Sequence, residues 1–147
     1  MTTSTLIVPC SACGTGNRLA SARLADRPTC GRCGAPVFAA RPIVLDASNF
    51  DRQIGGDVPI VVDFWAAWCG PCRAMAPVFE AAAKRHASAM RFGKLDVDAA
   101  QAIAGRFAIR SIPTLVVFKA GRELDRRSGA LDARSLDAWV AGHATVV

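Results

Sequence analysis

The hydrophobic pattern changes character once along the chain, near Ala39-Ala40-Arg41-Pro42. Before it, Cys, Arg, Gly and Pro are mixed with few large apolar residues, and no helical period of useful length or internal repeat emerges beyond a doubled Cys-x-x-Cys-Gly knuckle. Such a segment cannot bury a core by itself. Beyond it, Ile43-Val44-Leu45 predicts a short strand, and Ser48 or Asn49 caps a brief helix ending near Gly55-Gly56. Ile60-Val61-Val62-Asp63-Phe64-Trp65 is continuous rather than alternating, the pattern of a central strand covered on both faces. A helix is expected from Cys72 to about His86, kinked by Pro77. Arg91 to Asp96 predicts a strand, Gln101 to Phe107 a short helix, and Thr114 to Lys119 another strand. The turn Ala120-Gly121-Arg122 can join only antiparallel neighbours, so Glu123 to Ser128 returns as a hairpin partner and the sheet must be mixed. A last amphipathic helix, about Ala133 to Ala144, sets Leu136, Trp139 and Val140 on one face. The expected organisation is a small module with its linker over residues 1–42 and an α/β domain over residues 43–147.

Composition narrows the class. At 147 residues, 52% hydrophobic and 20% charged, the chain suits one packed core with a small accessory module and is too apolar for disorder. No apolar run approaches the roughly 18 residues a spanning helix requires, so no membrane contact is expected. The start, Met1 to Pro9, has no basic residue and too short an apolar run for an export signal, which predicts a cytoplasmic protein. The net charge of +6 divides into five Arg against Asp26 in residues 1–42 and thirteen basic against eleven acidic residues beyond. Four thiolates on one divalent ion would lower the first segment further. That segment has one aromatic residue, Phe38, and no Lys, so nucleic-acid binding is not expected.

The six cysteines form three Cys-x-x-Cys pairs, a grouping that suits metal ligation or catalysis better than a disulfide scaffold. Cys10/Cys13 and Cys30/Cys33 stand 16 residues apart, within the zinc-ribbon window, and each pair is followed by the Gly a tight knuckle needs. Four sulfurs would close a tetrahedral site around one structural zinc, with iron in a rubredoxin-like site as the alternative. Cys69 and Cys72 lie between a strand and a helix. A thiolate at Cys69 would meet unpaired backbone N–H groups and the positive helix end, and Cys72 would sit one turn inward as the resolving thiol. The other reading of an isolated pair is half of a metal site. Asp63, an acid inside the most apolar strand, is either a proton acceptor beneath the thiols with a raised pKa or a strand-end acid in water, and Lys94 on the next strand is the expected partner that holds it. His86 and His143 are expected to be solvated or packing residues.

Asp63-Phe64-Trp65-Ala66-Ala67-Trp68-Cys69-Gly70-Pro71-Cys72, with Ala76-Pro77, Lys94 to Asp98, Ser111-Ile112-Pro113-Thr114 and Ser128-Gly129-Ala130, closely resembles thioredoxin over residues 43–147. The fold this resemblance implies is an α/β thioredoxin fold, a central mixed sheet flanked by helices, with the ribbon-like module added at the N-terminus. It implies that Cys69 is the nucleophile, Cys72 the resolving thiol, Asp63 the buried acid and Pro113 a cis proline facing the pair. Trp68, Gly70, Pro71, Ile112, Gly129 and Ala130 would form the apolar docking surface, although Trp68 also reads as a core residue. A lowered cysteine pKa and a reducing potential come with the resemblance. Ala67 stands where thioredoxins often carry Pro or Glu, and the chain has no Tyr. With the first four cysteines, the whole resembles the zinc-containing second type of bacterial thioredoxin. The implied activity is reduction of disulfide-containing proteins, with electrons supplied by NADPH through thioredoxin reductase and no tightly bound organic cofactor. The rival is a zinc-ribbon binding module on a thioredoxin-like scaffold. A regulatory expectation adds that oxidation of metal-bound thiolates ejects the ion and alters contacts between the modules.

Overall fold

The chain as a computed structural model is described over residues 4–145; Met1 to Thr3, part of the stretch read for an export signal, and the last two valines lie outside the described residues. Two strands, β1 (Thr5–Pro9) and β2 (Gly16–Ala20), open the chain as an antiparallel pair, followed by a 3-10 turn at Ser21–Arg23. Then come β3 (Ile43–Leu45), α1 (Phe50–Ile54), β4 (Ile60–Trp65), α2 (Gly70–Arg85) and β5 (Arg91–Asp96). They are followed by α3 (Gln101–Arg106), β6 (Thr114–Lys119), β7 (Arg122–Ser128) and α4 (Ala133–His143).

The main sheet has the order β3-β5-β4-β6-β7, with β3, β5 and β4 parallel and β6 and β7 antiparallel to their neighbours, so it is mixed as expected. Central β4 is buried from Ile60 to Phe64, because helices cover both of its faces. Val61 packs with Met75 and Phe79 of α2 and with Leu136 and Val140 of α4. Ile60, Val62 and Phe64, pointing the other way, pack with Phe50 and Ile54 of α1 and Ile103 of α3.

Helix α2 starts two residues before the expected Cys72, since Gly70 and Pro71 fill its first turn, where a missing N–H costs nothing. Pro77 sits inside α2, which continues to Arg85. Both histidines pack against carboxylates, His86 2.9 Å from Asp137 and His143 3.0 Å from Asp125. Trp139 Nε1 also donates to Asp125 at 2.8 Å, joining α4 to β7.

The β1–β2 pair is an element the sequence pattern does not announce. Its apolar side chains join Cys10, Leu24, Cys30 and Val37 in a small cluster completed by Val58, which precedes β4. The N-terminal segment thus supplies most of this small core itself and closes it against one residue of the main domain. Among the hydrogen bonds that fix it there, Ile7 N donates to Asp57 Oδ2 at 2.7 Å and Asp57 N to Ile7 O at 2.9 Å. Among the described residues no helix is long and apolar enough to cross a membrane.

Candidate active site and metal centre

Cys69 is the N-cap of α2 and is disulfide-bonded to Cys72. The Cys72 backbone N–H points at Cys69 Sγ from 3.2 Å, so the sulfur lies where a helix start offers donors and positive potential. Cys72 is part of the helix and points into the fold; both sulfur-bearing residues are largely buried with Ala66, against Trp65, Val97 and Ile112.

The Ile112–Pro113 peptide is cis, and the Ile112 carbonyl oxygen lies 3.7 Å from Cys69 Sγ. Gly129 N donates to the Pro113 carbonyl at 2.8 Å, which brings Gly129 and Ala130 to the same rim. Trp68 is 68% exposed, so it is not a core residue. Its Nε1 donates to Asp98 Oδ2 at 2.8 Å, which fixes the ring beside the disulfide. A groove of about 430 Å³ runs from Trp68 past Val97 and Ile109 to Arg110, Ser111 and Ile112. Exposed Gly70 and Pro71 border the disulfide on the helix side. Arg73 Nη1 donates to the Ala67 carbonyl at 2.7 Å and braces the loop before Cys69. Asp98, Arg73 and Arg110 escape a sequence reading because their partners or neighbours in the site are set by tertiary contacts, 30 residues apart for Trp68 and Asp98.

Asp63 is 1% exposed, and neither carboxyl oxygen has a hydrogen-bond partner. Residues alternate along β4, so Asp63 shares the face of Val61, the one covered by α2. Burial pushes its pKa up to about 7, against an opposing pull from the Lys94 charge. This excludes the solvated strand-end reading. Lys94 lies in register beside Asp63 on β5, yet it does not hold the acid by contact: its Nζ sits 4.5 Å from the centre of the Trp65 ring. The ammonium keeps its water-facing position over an aromatic face and acts on Asp63 through space.

The four N-terminal cysteines converge, with all four Sγ atoms within 4.8 Å of one another. Cys10 and Cys33 sulfurs are 3.6 Å apart and those of Cys13 and Cys30 3.7 Å. A metal–sulfur bond of about 2.3 Å in a tetrahedron demands sulfur edges of about 3.8 Å, so this donor set fits a tetrahedral metal ion. The two knuckles repeat one design. Ala12 N points at Cys10 Sγ and Arg32 N at Cys30 Sγ, each at 3.4 Å, and Gly14 and Gly34 close the turns at φ +79° and +76°, which side chains rarely tolerate. Backbone N–H groups of Cys33 and Arg32 pull the Cys30 thiol down to about 6, whereas Cys33, despite the Ala35 N–H, is pushed up to about 11 by burial and the crowding Cys10, Cys13 and Cys30 sulfurs, so the four sulfurs do not ionise together without a cation between them. An ion there would be structural, since four sulfurs leave no open coordination position.

A disulfide at a helix N-terminus, facing a cis-proline loop on a mixed sheet, defines a thiol–disulfide oxidoreductase. A family model described as Thioredoxin matches residues 41–142, and one described as Thioredoxin 2, N-terminal, a zinc ribbon, matches residues 9–35. Thioredoxin C-3 of Corynebacterium nephridii is 40% identical over 136 residues, covering 92% of this chain and 93% of that protein. The thioredoxin of Alicyclobacillus acidocaldarius is 46% identical over 99 residues, covering 67% and 94%. Among solved structures, the Malassezia sympodialis thioredoxin Mala s 13 superposes with a TM-score of 0.64 at 40% identity, covering 68% of this chain and 90% of that one. The chain belongs to the thioredoxin family and matches its thioredoxin-2 type, with a zinc-ribbon module ahead of the thioredoxin fold. It is a protein-disulfide reductase working through the Cys69–Cys72 couple. Membership implies disulfide-bearing protein substrates and a reductase partner in general terms.

Proposed function

We propose the following division of labour. The Cys69 thiolate attacks one sulfur of a substrate disulfide; a Cys69–substrate disulfide forms and the second substrate sulfur leaves as a thiolate. Asp63, as carboxylate, accepts the Cys72 proton. Cys72 sulfur then attacks Cys69 Sγ, closing the intramolecular disulfide and releasing the first substrate sulfur. Two electrons pass to substrate, and thioredoxin reductase drawing on NADPH restores the dithiol. Lys94 tunes Asp63, and Trp68, Gly70, Pro71, Ile112, Pro113, Gly129 and Ala130 bind an extended substrate segment at the Ile112 backbone. The ribbon and linker over residues 1–42 hold one structural zinc through Cys10, Cys13, Cys30 and Cys33, a reading supported by the all-sulfur donor set. A cytoplasmic setting, where thiols stay reduced, suits both cysteine systems.

The observation that carries this assignment is the Cys69 sulfur at the helix cap, with the Cys72 N–H upon it. In the reduced protein, the rate of Cys69 alkylation by iodoacetamide, followed by mass spectrometry against pH, should turn over well below the ~8.5 of a free thiol. A midpoint at or above that value, or preferred labelling of Cys72, overturns the nucleophile assignment. Docking is tested separately. Trp68→Ala should raise KM for a protein disulfide about tenfold and leave kcat nearly unchanged, as expected for a lost aromatic anchor. A fall in kcat with constant KM would instead assign Trp68 to the chemical step.

A further inference from the structure

Arg91 opens β5, and apart from Asp63 it is the one charged side chain buried among the described residues, at 4% exposure. No carboxylate pairs with it among the described residues. Its guanidinium is spent on a junction between the two modules. Nη1 donates to the Gln53 carbonyl at 2.8 Å and Nη2 to the Pro9 carbonyl at 3.2 Å, and Nη2 also bonds Gln53 Oε1. Gln53, itself 2% exposed, passes the connection on, its Nε2 donating to the Cys10 carbonyl at 2.9 Å. That carbonyl also accepts the Gly14 N–H at 2.8 Å, the bond that closes the first cysteine knuckle. A continuous chain of buried hydrogen bonds therefore runs from β5 through α1 into the knuckle that carries two sulfur ligands.

A buried guanidinium with only neutral partners is costly unless a counter-charge lies nearby. Four thiolates around a divalent ion carry a net charge of about −2, and they too need compensation in a partly buried site. Burial draws the Arg91 pKa down to about 10 and the Cys10 sulfur opposes that shift, so the side chain remains charged at neutral pH, with Cys10 the ligand sulfur whose charge acts on it. We infer that Arg91, relayed by Gln53, is a positioning residue of the tetrathiolate site: it supplies the site's buried counter-charge and locks the first knuckle to β5, coupling metal occupancy to the stability of the thioredoxin domain. By linkage, whatever weakens the clamp weakens metal binding, and metal loss loosens the domain by the same free energy.

The inference rests on the reading that the four cysteines bind a metal, and cobalt(II) as probe separates the two. Full-length, reduced, metal-free wild-type protein titrated with cobalt(II) should show tetrathiolate absorption and gain thermal stability. Failure of the wild type to bind would remove the metal reading itself. Arg91→Met, which keeps bulk but loses charge and donors, should bind cobalt(II) at least tenfold more weakly, with a smaller gap in Tm between loaded and stripped forms. Should Arg91→Met not fold by near-ultraviolet circular dichroism, Gln53→Glu serves, because it keeps a partner on Arg91 while neutralising the charge and removing the donor to Cys10. The same tenfold loss is expected. Wild-type cobalt affinity in a folded Arg91→Met or Gln53→Glu protein overturns the inference and leaves the metal reading standing.

Discussion

Cys69→Ser should abolish turnover in a reductase-coupled insulin assay, a loss of about a thousandfold or more, because an oxygen there can neither ionise near neutral pH nor form the sulfur–sulfur bond of the intermediate. Cys72→Ser should behave differently. Its Cys69 keeps the helix-cap position and the Ile112 carbonyl 3.7 Å away, so the first exchange proceeds. With no resolving thiol, the protein stalls as a mixed disulfide, one substrate sulfur per chain, visible by intact mass and discharged by added dithiol. The two variants thus fail at different steps. Mixed disulfides accumulating on Cys72 in the Cys69→Ser protein, at the rate Cys69 forms them in its counterpart, would reverse the roles proposed for the pair.

The parts of the molecule legible in sequence are those whose cause is local. Ile60 to Trp65 is a central strand because its run of apolar residues has no polar face to offer water; the helix after it is legible as an element, but it begins at Gly70, two residues ahead of the expected Cys72, because Gly70 and Pro71 join its first turn. The knuckles are legible for the same reason: two thiolates and a Gly within five residues leave the chain one compact geometry. The β1–β2 pair is illegible because its connection is a metal knuckle rather than a turn motif, and its apolar side chains are completed by Val58, far along the chain. In the sequence Arg91 is only the first residue of an expected strand; the fold alone brings the Pro9 and Gln53 carbonyls to it. Lys94 is a related case. Its place beside Asp63 follows from strand register, whereas its turn toward Trp65 depends on the ammonium finding an aromatic face near water.

Asp63→Asn should stabilise the oxidised protein at neutral and alkaline pH, with little effect from this charge near pH 4. In the unfolded chain this carboxyl titrates near ~3.9, whereas in the fold burial holds it at about 7. Between those values the unfolded state binds fewer protons, so wild-type stability falls as pH rises through the window, and above about 7 the full penalty applies. Keeping the ionised carboxylate in this dry setting costs the fold on the order of 4 kcal/mol. A buried asparagine amide adds a cost of its own, but that cost does not change with pH. The diagnostic is therefore the difference between variant and wild type in urea unfolding at pH 4 and pH 9, which should widen toward alkaline pH. A constant difference would mean that Asp63 titrates as an ordinary carboxyl. The same variant lacks the acceptor for the Cys72 proton, so its mixed disulfide with substrate should persist about a hundredfold longer, the usual contribution of a positioned base. Stability gained and resolution slowed by one substitution is the signature of a carboxylate kept dry for its chemistry; a buried acid with no part in the exchange would show the same pH trend, because burial alone causes it, but no long-lived intermediate.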